Sequence, residues 1–307
     1  MSDTLIEDVA DDRTLRHWTF TGAARVKIGS EAHKQMFCRM LLETHNPYKP
    51  AVLEWPTLEP DALERLCSLP IWDIAVQTEG RASINVHTYA AQVSDPLLRE
   101  AIRMDGDEEA RHKRVLSKLI AAYGIEIAPE PAYPAPRDPE WAWMRTGYSE
   151  CIDSFFAFGL FRSAQQSGYF PESLVETFEP VIQEEARHIL FFANWVAWHR
   201  RTMPLWRRPW HALRVLAIWT VLIWERVAIA KGIDANGVVH DSNFLPANSS
   251  VIGEALNARE MIELCLAENE RRMSGYDARL LRPKLVPALA RLVLRFMKSS
   301  RRPGTPP

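Results

Sequence analysis

Two stretches of this chain spell the same five residues, Glu-Glu-Ala-Arg-His, at positions 108–112 and again at 184–188. Histidine occurs only nine times in 307 residues, so an accidental second copy has odds on the order of one in a thousand. The chemistry lies in the second glutamate and the histidine. Residues three apart on an α-helix project from one face. Glu109 and His112 therefore point the same way, as do Glu185 and His188. Each pair can hold one divalent metal through a carboxylate oxygen and an imidazole nitrogen. Two such helices facing each other could hold two metals, and two metals need further carboxylates from the other helices of a bundle.

The sequence offers those carboxylates at fitting places. Glu79, in AVQTEGRAS, precedes Glu109 by 30 positions, and Glu150, in GYSECIDSF, precedes Glu185 by 35. Each separation suits an antiparallel helical hairpin with partners at matching height. Glu79 is flanked by Ala75, Val76 and Ala82 at helical neighbour positions, and a charge on such an apolar stripe is costly unless paired or ligated. Asp153 competes with Glu150 for its position, and Glu100 is an outside candidate for that of Glu79.

The elements that must position these residues read as helices almost throughout, and no run alternates convincingly at strand period, so the fold class is all-α. Helices are expected at 30–45, at 61–69 with an Asp61/Glu64 capping box, and at about 71–93. Three longer ones follow, from Asp95-Pro96 to Tyr123, from about 140 to 166, and up to about Arg201. Pro180 either starts that last helix or kinks it. Between the first and second of these three, Pro129, Pro131, Pro134, Pro136 and Pro139 impose an extended crossover. The organisation expected is an N-terminal segment (1–60) packing one helix on a core (61–203), then a helical extension (204–307) with a basic tail.

That extension opens with a tryptophan-rich helix over 205–231, whose longest uncharged run, Val215 to Trp224, is ten residues. This is about half a membrane span. Trp206, Trp210, Trp219 and Trp224 beside Arg207, Arg208 and Arg214 would suit a membrane interface; the expectation is packing against the bundle instead. Residues 233–249 read as a loop, and 250–299 as one or two helices interrupted by Pro283 and Pro287. Residues 1–12 carry five acidic side chains, while 271–302 carry ten Arg or Lys against Asp277 alone. The basic tail is expected to be a solvated face and not a nucleic-acid site. The net charge of -2, the scattered Cys38, Cys67, Cys151 and Cys265, and an acidic start unlike a signal peptide together point to a cytoplasmic protein.

The ordered set Glu79, Glu109-x-x-His112, Glu150, Glu185-x-x-His188 resembles the ferritin-like dimetal carboxylate superfamily. This includes ferritins and rubrerythrins, acyl-carrier-protein desaturases, bacterial multicomponent monooxygenases, arylamine N-oxygenases and ribonucleotide reductase small subunits. The resemblance spans roughly residues 70–201 and implies a ferritin-like four-helix core. It implies Glu79 and Glu150 as terminal ligands and one or both of Glu109 and Glu185 as bridges. It further implies that Glu108 orients His188 and Glu184 orients His112, with Arg111 and Arg187 neutralising those carboxylates. The competing reading makes these four residues exposed helix charges in weak surface pairs.

Carboxylate-rich ligation with open positions suits iron, manganese or one of each, and reduced di-iron binds dioxygen. The expectation is therefore a non-haem di-iron oxidoreductase, a monooxygenase or oxidase acting on a small organic or lipid-like substrate. Without a Cys-x-x-Cys, its electrons would come from a separate ferredoxin or reductase. The alternative is an iron-storing or detoxifying ferritin-like protein, against which stand the long segments outside the core. Arylamine N-oxygenases carry a third histidine four residues before the second motif's glutamate; here that residue is Val181. Gly147, Ser154 and Ala157 with Ala75, Ala82 and Ser83 would either leave a cavity beside the metals or allow close helix packing. Tyr89 and Tyr148 fall within reach of the bundle centre, and a homodimer is compatible with this reading.

Overall fold

The computed structural model describes residues 16–69, 71–230 and 257–297. The acidic residues 1–12, the expected loop 233–249 and the tail beyond 297 lie outside the described residues. Those described are overwhelmingly helical, with no strand among them and one isolated bridge between Trp18 and Tyr276.

Local chemistry explains where the helices begin and end. Helix α1 (Glu31–Glu43) is capped by Ser30, whose hydroxyl accepts from the His33 amide. Helix α2 (Pro60–Cys67) opens on its proline with Glu59 at the cap. The Asp61/Glu64 capping box does not form, because Asp61 already lies inside the first turn. Helix α3 (Trp72–Ala90) leads to α4 (Pro96–Tyr123), where Asp95 accepts from the Leu98 amide and Gly124, at φ 63°, ends the helix in the left-handed conformation. The proline-rich crossover then reaches α5 (Pro139–Ser167), with Asp138 accepting from the Trp141 amide.

After the short α6 (Glu172–Glu176) comes α7 (Glu179–Thr202), in which Pro180 occupies the first turn and so starts the helix without kinking it. Helix α8 (Arg208–Ala230) follows a 3₁₀ turn at Leu205–Arg207. Helices α9 (Ala258–Ser274) and α10 (Leu285–Phe296) complete the described chain. Pro287 sits in the first turn of α10 and does not interrupt it.

Helices α3, α4, α7 and α5 close a ring: α3 packs on α4 and α5, and α7 on α5 and α4. Helix α1 lies across the α4/α7 seam, touching both. Helix α9 covers α5 and α7, and α8 and α10 both lean on α5. The approach of α9 to α5 depends on Gly159, where a Cβ would come within 2.3 Å of Cys265 Sγ.

Two apolar clusters hold the assembly together. One gathers Phe37, Val86, Ile102, Trp143, Phe191 and Trp195. The other gathers Leu66, Trp72, Val76, Leu119, Phe170 and Leu174. Along α3 and α4, the acidic residues of the site lie between the two clusters.

The tryptophan-rich segment packs α8 on α5 as expected, but departs from expectation in its tryptophans. It does not bury its tryptophans against the bundle: Trp206, Trp210 and Trp224 are 75%, 66% and 59% exposed, and only Trp219 joins an internal cluster. A stripe of His211, Ile218 and Leu222 faces inward. No helix among the described residues is long and apolar enough to cross a membrane.

Candidate metal centre

Glu79 comes from α3, Asp105, Glu109 and His112 from α4, Glu150 from α5, and Glu185 and His188 from α7. Ligand atoms of Glu79, Glu109, His112 and Glu185 lie within 4.8 Å of one another, as do those of Asp105, Glu109 and His188. The two histidine rings are 5.6 Å apart between centroids. Glu109 belongs to both groups, the position a bridging carboxylate would take.

Glu150 stands just outside both groups, with its Oε1 buried and without a hydrogen-bond partner. The rival candidates are placed elsewhere. Asp153 pairs with Arg226 at 2.5 Å and accepts from Ser149, and Glu100 is exposed.

The orientation of the histidines is fixed from behind and crosswise. His112 Nε2 lies 2.8 Å from Glu184 Oε2 on α7, and His188 Nε2 lies 2.7 Å from Glu108 Oε2 on α4. A carboxylate only accepts, so each Nε2 carries a proton, and when the ring is neutral its bare nitrogen is the Nδ1 that faces the acidic cluster. His112 Nδ1 is 3.2 Å from Glu185 Oε1, and His188 Nδ1 is 2.8 Å from Glu109 Oε1. Both nitrogens are nevertheless buried without a hydrogen bond, as are Glu109 Oε1 and both oxygens of Asp105. Atoms that converge this closely but are misaligned for hydrogen bonds suit coordination to a cation between them, and burial of unsatisfied polar atoms is costly otherwise.

The supporting carboxylates are themselves held. Glu108 and Glu184 are buried, as are Arg187 and Arg111, so none of the four is an exposed helix charge. Arg187 donates to both Glu108 oxygens at 3.0 and 3.1 Å, to Thr44 Oγ1 and to the Leu41 carbonyl. Arg111 donates to Glu184 at 2.5 Å and to the Asn46 carbonyl, over the Tyr48 ring. His45 Nδ1 completes the Glu108 shell at 2.6 Å.

Electrostatics agree with the geometry. Burial, reinforced by neighbouring carboxylates, holds the Glu109 and Glu150 carboxyls well above their ordinary range. Burial likewise raises Asp105 to about 6, against the opposing pull of His188. For the histidines, burial disfavours the charged ring, but the surrounding carboxylates outweigh it and raise both pKa values well above normal. Burial also opposes ionisation of Glu185 and Glu108, but the adjacent His112 ring and the charge of Arg187, respectively, bring both below the usual value. The centre is short of positive charge, and it draws protons where cations would serve.

Sequence reasoning missed Asp105, Thr44, His45 and Tyr48. Asp105 had a signal: it lies four residues before Glu109, so Asp105, Glu109 and His112 share one helical face. Its counterpart before Glu185 is Val181, which makes the two halves unequal. The other three come from the end of α1 and the residues after it, and nothing local to the motifs indicates them.

The small residues on α5 serve packing and hydrogen bonding. A Cβ at Gly147 would meet Phe192 at 2.2 Å, and Ser154 donates to Glu185 at 3.0 Å. Tyr89 stacks on Trp143 in the core, and Tyr148 packs on Phe192. A separate trio, Glu140, His199 and His211, also gathers within 4.8 Å. It is partly exposed and lies under the charges of Arg200 and Arg214, which oppose a cation there.

No protein-family model matches the chain, and no curated protein or solved structure matches it.

Proposed function

We propose that the α3, α4, α5 and α7 ring is a ferritin-like dimetal core, and that the protein is an oxidoreductase using dioxygen on a small organic or lipid-like substrate. The observation that carries this reading is the pair of buried, unpartnered Nδ1 atoms, each aimed into a carboxylate cluster by a charged residue on the opposite motif. The donor set of imidazole nitrogen and carboxylate oxygen suits iron, manganese or one of each. Reduced iron, when bound, supplies electrons for dioxygen reduction.

In this reading Glu79, Glu109, His112 and Glu185 hold one ion. Glu109, His188 and Asp105 hold the other, with Glu150 beside it. Glu108 and Glu184 keep the imidazoles in the tautomer that leaves Nδ1 free, and Arg187 and Arg111 hold those carboxylates in place. A largely apolar pocket of about 120 Å³ lies against α5 and α7, lined among others by Cys151, which follows Glu150 in sequence, and by Phe192, one turn beyond His188. Such a lining suits an apolar substrate. The chain has no Cys-x-x-Cys, so a separate ferredoxin or reductase is the electron source in this proposal.

The test is anaerobic purification, iron and manganese counting, and mixing of the ferrous protein with dioxygen. Two metals per chain and a transient visible absorption on mixing are expected. A wild type without metal, or Glu185→Ala and His112→Ala variants that bind as much as wild type, would overturn the proposal. Loading of many irons per chain into a multimeric shell would instead assign the protein to storage.

A further inference from the structure

Among the described residues, seventeen large apolar side chains are exposed, and all but Ile28, Val52 and Ile74 lie on the 205–230 segment or on α10. That concentration calls for a partner, since scattered exposure is ordinary and clustered exposure is not.

Helix α8 is turned inside out. Its charged residues Arg214, Glu225 and Arg226 face the bundle, paired with Asp138 at 2.9 Å, Arg145 at 2.5 Å and Asp153 at 2.5 Å. Its outward face from Pro209 to Val227 carries no charge, over a length of about 28 Å. An ordinary surface helix does the reverse. Helix α10 adds exposed Leu289, Leu292 and Phe296, with Arg291 and Arg295 exposed among them. The two helices are neighbours: Trp219 of α8 shares a cluster with Val286 and Ala290 of α10.

Charge selects the occupant. After Asp277 the sequence has eight Lys or Arg and no acidic residue, and Arg200, Arg201, Arg207 and Arg208 gather at the other end of the apolar face. A second copy of the chain would bring the same positive charge against it. An anionic bilayer would neutralise it, and tryptophan with arginine at the margin of an apolar helix suits the headgroup layer.

We propose that α8 and α10 seat the protein on an anionic lipid surface, both helices lying in the headgroup plane. The pocket against α5 and α7 lies between them, lined by Trp219 of α8 and by Leu285 and Val286 of α10. If the dimetal reading above holds, on which this second step rests, the substrate is an acyl chain entering from the membrane.

The experiment is flotation of the full chain, as isolated with its metals, on vesicles of phosphatidylglycerol with phosphatidylcholine and on phosphatidylcholine alone. Binding to the anionic vesicles, weakened by salt, is expected. The exposed Trp210→Glu/Trp224→Glu double variant should bind about tenfold more weakly or worse, with helicity and metal content unchanged. A wild type that floats with neither vesicle overturns the proposal, as does a double variant that floats like wild type. So does a wild-type dimer that the double variant converts to monomer without any vesicle binding, which assigns the face to a second copy. Flotation does not depend on dioxygen chemistry, so failure of the dimetal reading would show separately, in the metal count.

Discussion

At the scale of single residues, the centre depends on side chains that touch no metal. Glu108 and Glu184 each accept from the histidine of the other motif, and outer partners of this kind typically govern metal affinity by about 10- to 100-fold. Glu184→Gln should weaken metal binding by that order while leaving the helical content unchanged, measured by competition with a chelator of known affinity. Arg187→Ala should be worse for the fold, by about 3–5 kcal/mol, because it strands a buried Glu108. Acid should release the metals. With Glu109 and Glu150 raised well above their ordinary range and Asp105 near 6, these carboxyls retain protons that a metal must displace. Affinity should therefore fall as pH drops through about 6, and loading should release protons, which a weakly buffered titration with a pH indicator detects. In the metal-free protein the same groups bind protons more tightly when folded than when unfolded. Its stability should accordingly decline as pH rises from the unfolded carboxyl range, about 4, through their raised values. The motifs made Glu109, His112, Glu185 and His188 legible, because helical spacing aligns them within five residues. Thr44 and His45 were illegible, because they reach Glu108 and Arg187 only once α1 folds over α4 and α7.

At the scale of elements, α1 and the 281–284 turn are tied to α7 by one side chain. Asn194, fully buried, donates to the Leu190 and Leu281 carbonyls and accepts from the Leu281 amide at 2.9 Å, with His33 Nε2 at 3.1 Å on the same oxygen. Asn194→Leu leaves the Leu281 amide and the His33 ring without that partner. It should cost about 2–3 kcal/mol, read from the denaturant midpoint at unchanged slope. The ends of α4 were legible from Asp95-Pro96 and Gly124, since capping is local chemistry. The outward face of α8 was not. Arg214, Glu225 and Arg226 share its inward side with Ile218 and Leu222, so the sequence displays the stripe without saying which side meets the bundle. Only the positions of Asp138, Arg145 and Asp153 decide that.

At the scale of the molecule, two clusters of hydrocarbon enclose a group of buried carboxylates whose mutual repulsion opposes folding. Metals that bind only the folded chain should add stability as RT ln(1 + [L]/Kd), about 2.7 kcal/mol at a hundredfold excess over Kd. A calorimetric scan should show a higher melting temperature with ferrous iron or manganese, reversed by chelation and absent in Glu109→Ala. The all-helical class was legible from periodicity throughout. One N-terminal helix packing on the core was expected, but which seam α1 would cross and how α9 would cover α5 and α7 were not legible, because those contacts join segments distant in sequence, and at Gly159 they depend on a missing side chain.

The crossed pairing of the two motifs also sets a clock. His112 has no Glu184 to orient it until 72 further residues have been made, which at about 5–20 residues per second takes several seconds. During synthesis the first Glu-x-x-His is thus a loose pair of donors with no fixed geometry. In the proposed dimetal reading, discrimination between metals would fall to the finished chain, and so to whichever ion the cell holds available after synthesis ends.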